Sequence, residues 1–162
     1  MTTNELKPSE EFITMLKPES AAAEAFKTLR TNLSLRSFDK DLQVINVISS
    51  TIGESKSTVV INLGYVYSQL RKKTLIIDLD LRKGSLTKRL SSRREPGLSN
   101  YLAGKTDNYK SLIKHNCITD GIDVLSGVVA IGTCIEIFFA RTAKSTEVGV
   151  VEGNLAVFAF SD

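Results

Sequence analysis

Six consecutive residues carry the strongest chemical signal in this chain: Gly53, Glu54, Ser55, Lys56, Ser57 and Thr58. They follow an apolar run, Val44–Ile48, and precede a second one carrying Val59, Val60, Ile61, Leu63 and Val66. Strand, tight loop and helix in that order let backbone N–H groups and a helix N-terminus converge on phosphate oxygens. Lys56 would add a compact positive charge that stabilises charge building up in phosphoryl transfer. The Ser57 hydroxyl suits a magnesium ion bridging those phosphates. In the usual spacing a glycine precedes the lysine, and Ser55 stands there instead. Glycine takes left-handed dihedrals freely and puts no Cβ between backbone and phosphate. A serine at positive φ would be strained by ~1–3 kcal/mol, which predicts weakened nucleotide affinity. The competing reading is a surface loop that merely contains these residues. The flanking strand and helix argue against it.

The second signal is Ile76-Ile77-Asp78-Leu79-Asp80-Leu81-Arg82. Carboxylates at alternate positions leaving a strand point to one side of the backbone. At the carboxyl edge of a parallel sheet, that is where ligands bind. Asp78 is the expected magnesium ligand, direct or through water, and Asp80 the group that orients or deprotonates an incoming hydroxyl. The bland alternative is a buried strand ending at solvent with acidic residues. A basic run from Arg82 to Arg94 follows, either a solvated loop or an attraction for nucleotide or an acidic partner.

These residues need a scaffold, and the chain is long enough to build one. Its 162 residues are 42% hydrophobic, which allows a single sizeable core. A net charge of +3 gives no reason to expect a nucleic-acid partner. The first residues lack the apolar core of a signal peptide, and no apolar run is long enough to cross a bilayer, so a cytoplasmic chain is expected. Cys117 and Cys134 lack metal-ligand spacing and read as ordinary small apolar residues. His115 shows no partner in sequence and reads as a solvated helix-end residue.

Residues 1–19, with Pro8 and Pro18, read as an extended arm. Ser20 is a candidate N-cap for a helix whose apolar face is Ala22, Phe26, Leu29 and Leu33, with Glu24, Lys27 and Arg30 on the other side. Val44–Ile48 reads as a strand, a helix runs from Lys56 to about Arg71, and Thr74–Ile77 reads as a buried parallel strand. Together they form a βαβ unit. A short helix over 98–103 stops at Gly104. Residues 107–114 suggest another helix, and 122–125 a third strand. Beyond Gly127 the pattern is poor: 128–140 is apolar without period, and 155–160 reads as a lone late strand.

With those segments in place, residues 18–127 resemble the bacterial tyrosine kinases of capsular and exopolysaccharide biosynthesis, relatives of the MinD/ParA-like P-loop ATPases. Ser49 to Thr58 is similar to the family's Walker A loop, with Ile52 for the usual proline and Ser55 for glycine. Ile76 to Arg82 matches its Walker A′ pattern, Asp-x-Asp-x-Arg. Glu24, Lys27 and Arg30 resemble its Glu-x-x-Arg-x-x-Arg oligomerisation helix, with Lys27 for the first arginine. Residues 97–104 and 121–125 also resemble the corresponding family segments.

The resemblance implies an α/β fold, a P-loop NTPase-like parallel sheet flanked by helices and incomplete here. It divides the chain into an arm (1–19), a kinase-like domain (20–127) and an atypical segment (128–162). It further implies ATP and Mg2+ as cofactors, with Lys56, Asp78 and Asp80 catalytic. Gly53 to Thr58 and Arg82 would bind nucleotide, and Ser57 and Asp78 the metal. The implied activity is tyrosine autophosphorylation in a homo-oligomeric ring. The implied partner is a transmembrane chain-length regulator that activates the kinase and holds it at the inner face of the cell membrane. After Gly127 the family's Walker B Asp-Thr-Pro-Pro and tyrosine-rich tail do not appear, which predicts a truncated or altered and impaired copy. Two other classes compete. A MinD/ParA-like ATPase is disfavoured because Thr51 stands where that family carries an extra lysine. A non-catalytic remnant would act only through the helix at residues 20–35.

Overall fold

A computed structural model describes residues 10–36, 44–48, 51, 53–81, 84–90 and 96–127, with the backbone of a strand at 156–161. The helices are α1 (Ile13–Leu16), α2 (Ala21–Arg36), α3 (Lys56–Ser68), α4 (Ser85–Leu90) and α5 (Leu98–Leu102). The strands are β1 (Val44–Val47), β2 (Lys73–Asp78), β3 (Ile113–Lys114), β4 (Ile122–Leu125) and β5 (Ala156–Ser161).

The sheet runs β1-β5-β2-β4-β3. β2 and β4 are parallel, and β5 is antiparallel to both β1 and β2, so β1 and β2 share a direction without touching. The expected βαβ unit is therefore present, with a strand from the far end of the chain inserted in it. The sheet is mixed rather than purely parallel, since β3 also pairs antiparallel with β4.

Alternation along β2 divides the core. Ile76 is buried among Val60, Ile61, Leu63 and Val66 of α3, Leu86 and Leu90 of α4, and Ile122 and Val124 of β4. Leu75 and Ile77 point the other way, against Leu98 and Leu102 of α5 and Leu112. The sheet thus carries a helical layer on each face, the arrangement expected of buried parallel strands.

Helix α2 starts as expected. Ser20 Oγ accepts from the Ala23 N–H at 3.2 Å and donates to the Lys17 carbonyl at 2.7 Å. Its buried face is turned from the expected one. Ala23 is fully buried and Phe26 and Leu33 pack on the core, whereas Ala22 and Leu29 are exposed. Arg30, expected outside, reaches inward and donates to the Val66 carbonyl at 2.6 Å. Residues 107–114 do not form a helix: a 3-10 turn over Tyr109–Leu112 leads into β3. His115 has a partner, its Nδ1 lying 2.8 Å from Asp123 Oδ2 beside β4.

Residues 10–16 are the largest departure from the expected extended arm. Phe12 is 3% exposed within the main cluster, and α1 follows it directly. An aromatic side chain in a dry site outweighs the polar residues around it. Phe12→Ala is expected to destabilise the protein by ~3–5 kcal/mol, as buried aromatic truncations do. A urea unfolding midpoint would read the loss; an undocked arm would leave the midpoint in place.

Candidate functional site

The carboxyl ends of β1, β2 and β4 meet at one edge of the sheet. Ala156 of β5 is level with Val47 on one side and Asp78 on the other. Ile77 is level with Leu125 of β4, which leads into Ser126 and Gly127. The loop after β1 and the aspartates after β2 are two strand spacings apart, ~9–10 Å. A lysine side chain and a phosphate group can bridge that gap between them.

In the loop, Gly53 has φ +91, and the space where a Cβ would project is open. Ser55 has φ 58 and ψ 22, the left-handed conformation, immediately before the first residue of α3. Its carbonyl accepts the first helical bond, from the Val59 N–H at 3.0 Å. Its own side chain makes no capping bond, which leaves the first-turn N–H groups to other acceptors. Ser55 and Glu54 are exposed, and Lys56, Ser57 and Thr58 are half-buried at the start of the helix. Ser49, Ser50, Ile52 and Arg82 lie outside the described residues.

Asp78 differs in kind. It is 2% exposed, and its carboxylate is fixed by three donors. Oδ2 accepts from the Thr87 N–H at 2.8 Å and the Thr87 hydroxyl at 2.7 Å. Oδ1 accepts from the Asp80 N–H at 3.0 Å. The Thr87 hydroxyl in turn accepts from the Gly127 N–H at 2.8 Å, so its proton must point at Asp78. Gly127 is glycine for a steric reason: a Cβ there would sit 2.5 Å from the Asp78 carbonyl oxygen. Burial pushes the Asp78 carboxyl above its ordinary range, the Thr87 and Asp80 bonds pull it back, and the Asp80 charge adds a smaller upward push. Asp80 itself is only half-buried.

Thr87 has no counterpart in the sequence reading. It lies nine residues beyond Asp78 on a separate helix and belongs to no motif used there. A hydroxyl among the apolar residues Leu86 and Leu90 was the only available hint.

Among the described residues, no three His, Cys, Asp or Glu side chains cluster as a self-sufficient metal site. The arrangement nevertheless fits magnesium held in part by phosphate, which needs only one or two carboxylates and takes its other oxygens from ligand and water. Ser57 and Asp78 are the residues that would hold it, and Asp78 Oδ1 has acceptor capacity to spare.

The oligomerisation residues expected on α2 engage locally. Lys27 Nζ pairs with Glu24 at 2.6 Å and reaches the Pro18 carbonyl at 3.3 Å, while Arg30 is committed to α3.

Sheet, loop and aspartate pair together define an α/β domain of the P-loop NTPase type. No protein-family model matches the chain. Individual relatives do. The tyrosine-protein kinase YwqD of Bacillus subtilis is 36% identical over 94 residues, 58% of this chain and 40% of that protein. The tyrosine-protein kinase Etk of Escherichia coli K12 is 34% identical over 104 residues, 64% of this chain and 14% of its own length. A putative tyrosine-protein kinase from a cps region of Klebsiella pneumoniae is 35% identical over 109 residues, 67% of this chain and 15% of that protein. The Etk kinase domain superposes with a TM-score of 0.72 at 28% identity, covering 88% of this chain and 53% of that one. The chimerical protein CapA2B2 gives 0.71 at 26%, covering 86% and 61%. The chain is similar in sequence and fold to these bacterial tyrosine kinases, and it spans less than half the length of the curated relatives.

Two outcomes test the site. Ser55→Gly removes left-handed strain of ~1–2 kcal/mol and adds ~0.5–1 kcal/mol of backbone entropy cost. A net gain of ~0.5–1 kcal/mol in unfolding free energy is expected, read by chemical denaturation. A loss would show that the left-handed serine is unstrained.

The raised Asp78 carboxyl fixes the sign of a pH effect. Its folded value lies above the ordinary 3.8, so the folded state binds the proton more tightly. Stability from this group is present below 3.8 and lost as pH rises through the raised folded value. Asp78→Asn should flatten that part of the stability–pH curve in thermal unfolding. An unchanged slope would assign the titration elsewhere.

Proposed function

We propose that this chain is the nucleotide-binding part of an ATP- and magnesium-dependent protein-tyrosine autokinase serving capsular or exopolysaccharide biosynthesis. The observation that carries the reading is the convergence of the Lys56 loop and the Asp78–Asp80 pair at one sheet edge, in a chain similar to named tyrosine kinases. ATP would seat its phosphates on the N–H groups of Gly53–Thr58, with Lys56 placed against the terminal oxygens. Bound magnesium would supply charge neutralisation there, held by Ser57 and the Asp78 carboxylate. Asp78 is fixed by Thr87 and cannot swing, so it suits a positioning role. Asp80 is half-buried with its N–H committed to Asp78, and it would orient the attacking tyrosine hydroxyl or take its proton.

The partners belong to the same proposal. A transmembrane chain-length regulator would activate the domain and hold it at the inner face of the membrane, and copies would assemble into a ring through α2. No helix among the described residues is long and apolar enough to cross a membrane.

A second reading, a binding module without phosphoryl transfer, is favoured by the left-handed Ser55 in the loop. One experiment separates the two: incubation with labelled ATP and magnesium, with and without the regulator's cytosolic segment. Label on tyrosine that Lys56→Ala reduces by about a hundredfold or more is the expected result, since Lys56 acts on transition-state charge. Nucleotide binding without label supports the module. Failure to bind nucleotide overturns both readings.

A further inference from the structure

Residues 11–14 contact α3, which begins at Lys56, and α4, which carries Thr87, although they lie ahead of every motif of the site. Asn62, on α3 and fully buried, uses its whole amide on this segment and its own helix. Its Nδ2 donates to the Glu11 carbonyl at 2.6 Å and to the Thr58 carbonyl at 2.8 Å. Its Oδ1 accepts from the Thr14 N–H and the Thr14 hydroxyl, each at 2.8 Å. A buried asparagine with two donors and two acceptors satisfied resists rearrangement, because any shift strands a polar group in a dry interior. Thr58 lies in the first turn of α3, two residues beyond Lys56.

The same segment reaches α4. The Glu11 carboxylate meets the Arg89 guanidinium at 2.5 Å. The contacting atoms are shut off from solvent, although about a third of each side chain is exposed. Arg89 is two residues from Thr87, the residue that fixes Asp78. Between these two anchors Phe12 belongs to the same buried cluster as Val60 and Ile61 of α3 and Leu86 and Leu90 of α4.

We infer that Glu11–Thr14 is a clasp that sets the first turn of α3 against α4, and so aligns the Lys56 loop with the Asp78 carboxylate. Asn62, Glu11 and Arg89 are positioning residues: they act through Thr58 and Thr87 and touch no reacting atom. The inference about alignment stands on the fold alone. Its consequence for ligand rests on the nucleotide reading above.

Hydrogen exchange on the full chain without nucleotide tests the alignment directly. Asn62→Asp is isosteric, keeps both Thr14 donors and replaces donation to Glu11 and Thr58 with repulsion. Exchange at residues 56–60 and 85–90 is expected to quicken by about tenfold, with β4 unchanged as the reference for global opening. Quickening confined to residues 10–16, or spread equally to β4, overturns the clasp.

Should Asn62→Asp not fold, Glu11→Arg and Arg89→Glu decide the matter. Each should quicken exchange in α4, and the double exchange of charges should restore it. No effect of either, or no restoration, overturns the clasp. MgADP titration of the same proteins reads the consequence: about a three- to tenfold weaker Kd in the variants and recovery in the swapped pair. Wild-type protein that fails to bind MgADP would sink the nucleotide reading while exchange still judges the clasp. Unchanged Kd alongside a lowered unfolding temperature would reduce these residues to a purely stabilising role.

Discussion

The arrangement depends on keeping one carboxylate in a place that water does not reach. An ionised carboxylate at 2% exposure costs several kcal/mol in lost hydration. Each hydrogen bond to the charged group returns ~1.5–3 kcal/mol, so three such bonds roughly offset the burial. The donors come from two places in the chain, the Asp80 N–H next door and Thr87 on α4, and Thr87 is itself held by Gly127 after β4. Asp78 can be charged only where β2, α4 and the end of β4 are all in position. The local requirement thus fixes tertiary geometry.

That requirement explains which side chains near the site are small or polar. Gly127 has no room for a Cβ against the Asp78 carbonyl. Thr87 must be a hydroxyl that accepts from one side and donates to the other, and its N–H must also be free to point at Asp78. The buried asparagine on α3 repeats the pattern on the opposite side of the site, with every polar atom committed. Polar groups in such an interior specify one arrangement, because each alternative leaves a donor or acceptor unmet.

The elements that could be read from sequence are those whose signal is local. Val44–Val47 and Ile122–Leu125 form strands as their apolar runs indicate, and Gly104 ends α5 with φ +72. The paired aspartates announce themselves by spacing. Thr87 does not, since its partner is nine residues away through a turn and its role exists only once α4 packs on β2. The face of α2 was misread for a simpler reason. Ala21, Ala22 and Ala23 are equivalent in hydropathy, so sequence does not distinguish which of them faces the core; the buried one is Ala23, and Leu29 is exposed. Arg30 then turned inward to a carbonyl, a contact that charge patterning points away from. Phe12 was outvoted by the polar residues and prolines around it, although one buried aromatic anchors a short segment better than several solvated residues release it.

The place of β5 follows a different logic. Two parallel strands need a long crossover between them, whereas an antiparallel strand can enter from the far side. β5 pairs with β1 over four residues and with β2 over six, so it satisfies backbone groups on two strands at once. Without it, the facing edges of β1 and β2 would carry unpaired N–H and C=O groups in the middle of a sheet. Its register also sets the site: Ala156 lies level with both Val47 and Asp78, which fixes how far the loop stands from the carboxylates. A slip of two residues along either neighbour would keep the same faces inward and still offset the loop from the aspartates by ~6–7 Å, beyond what one lysine side chain and one phosphate can make good. The last strand of the chain therefore bears on the chemistry of the first loop through backbone pairing alone.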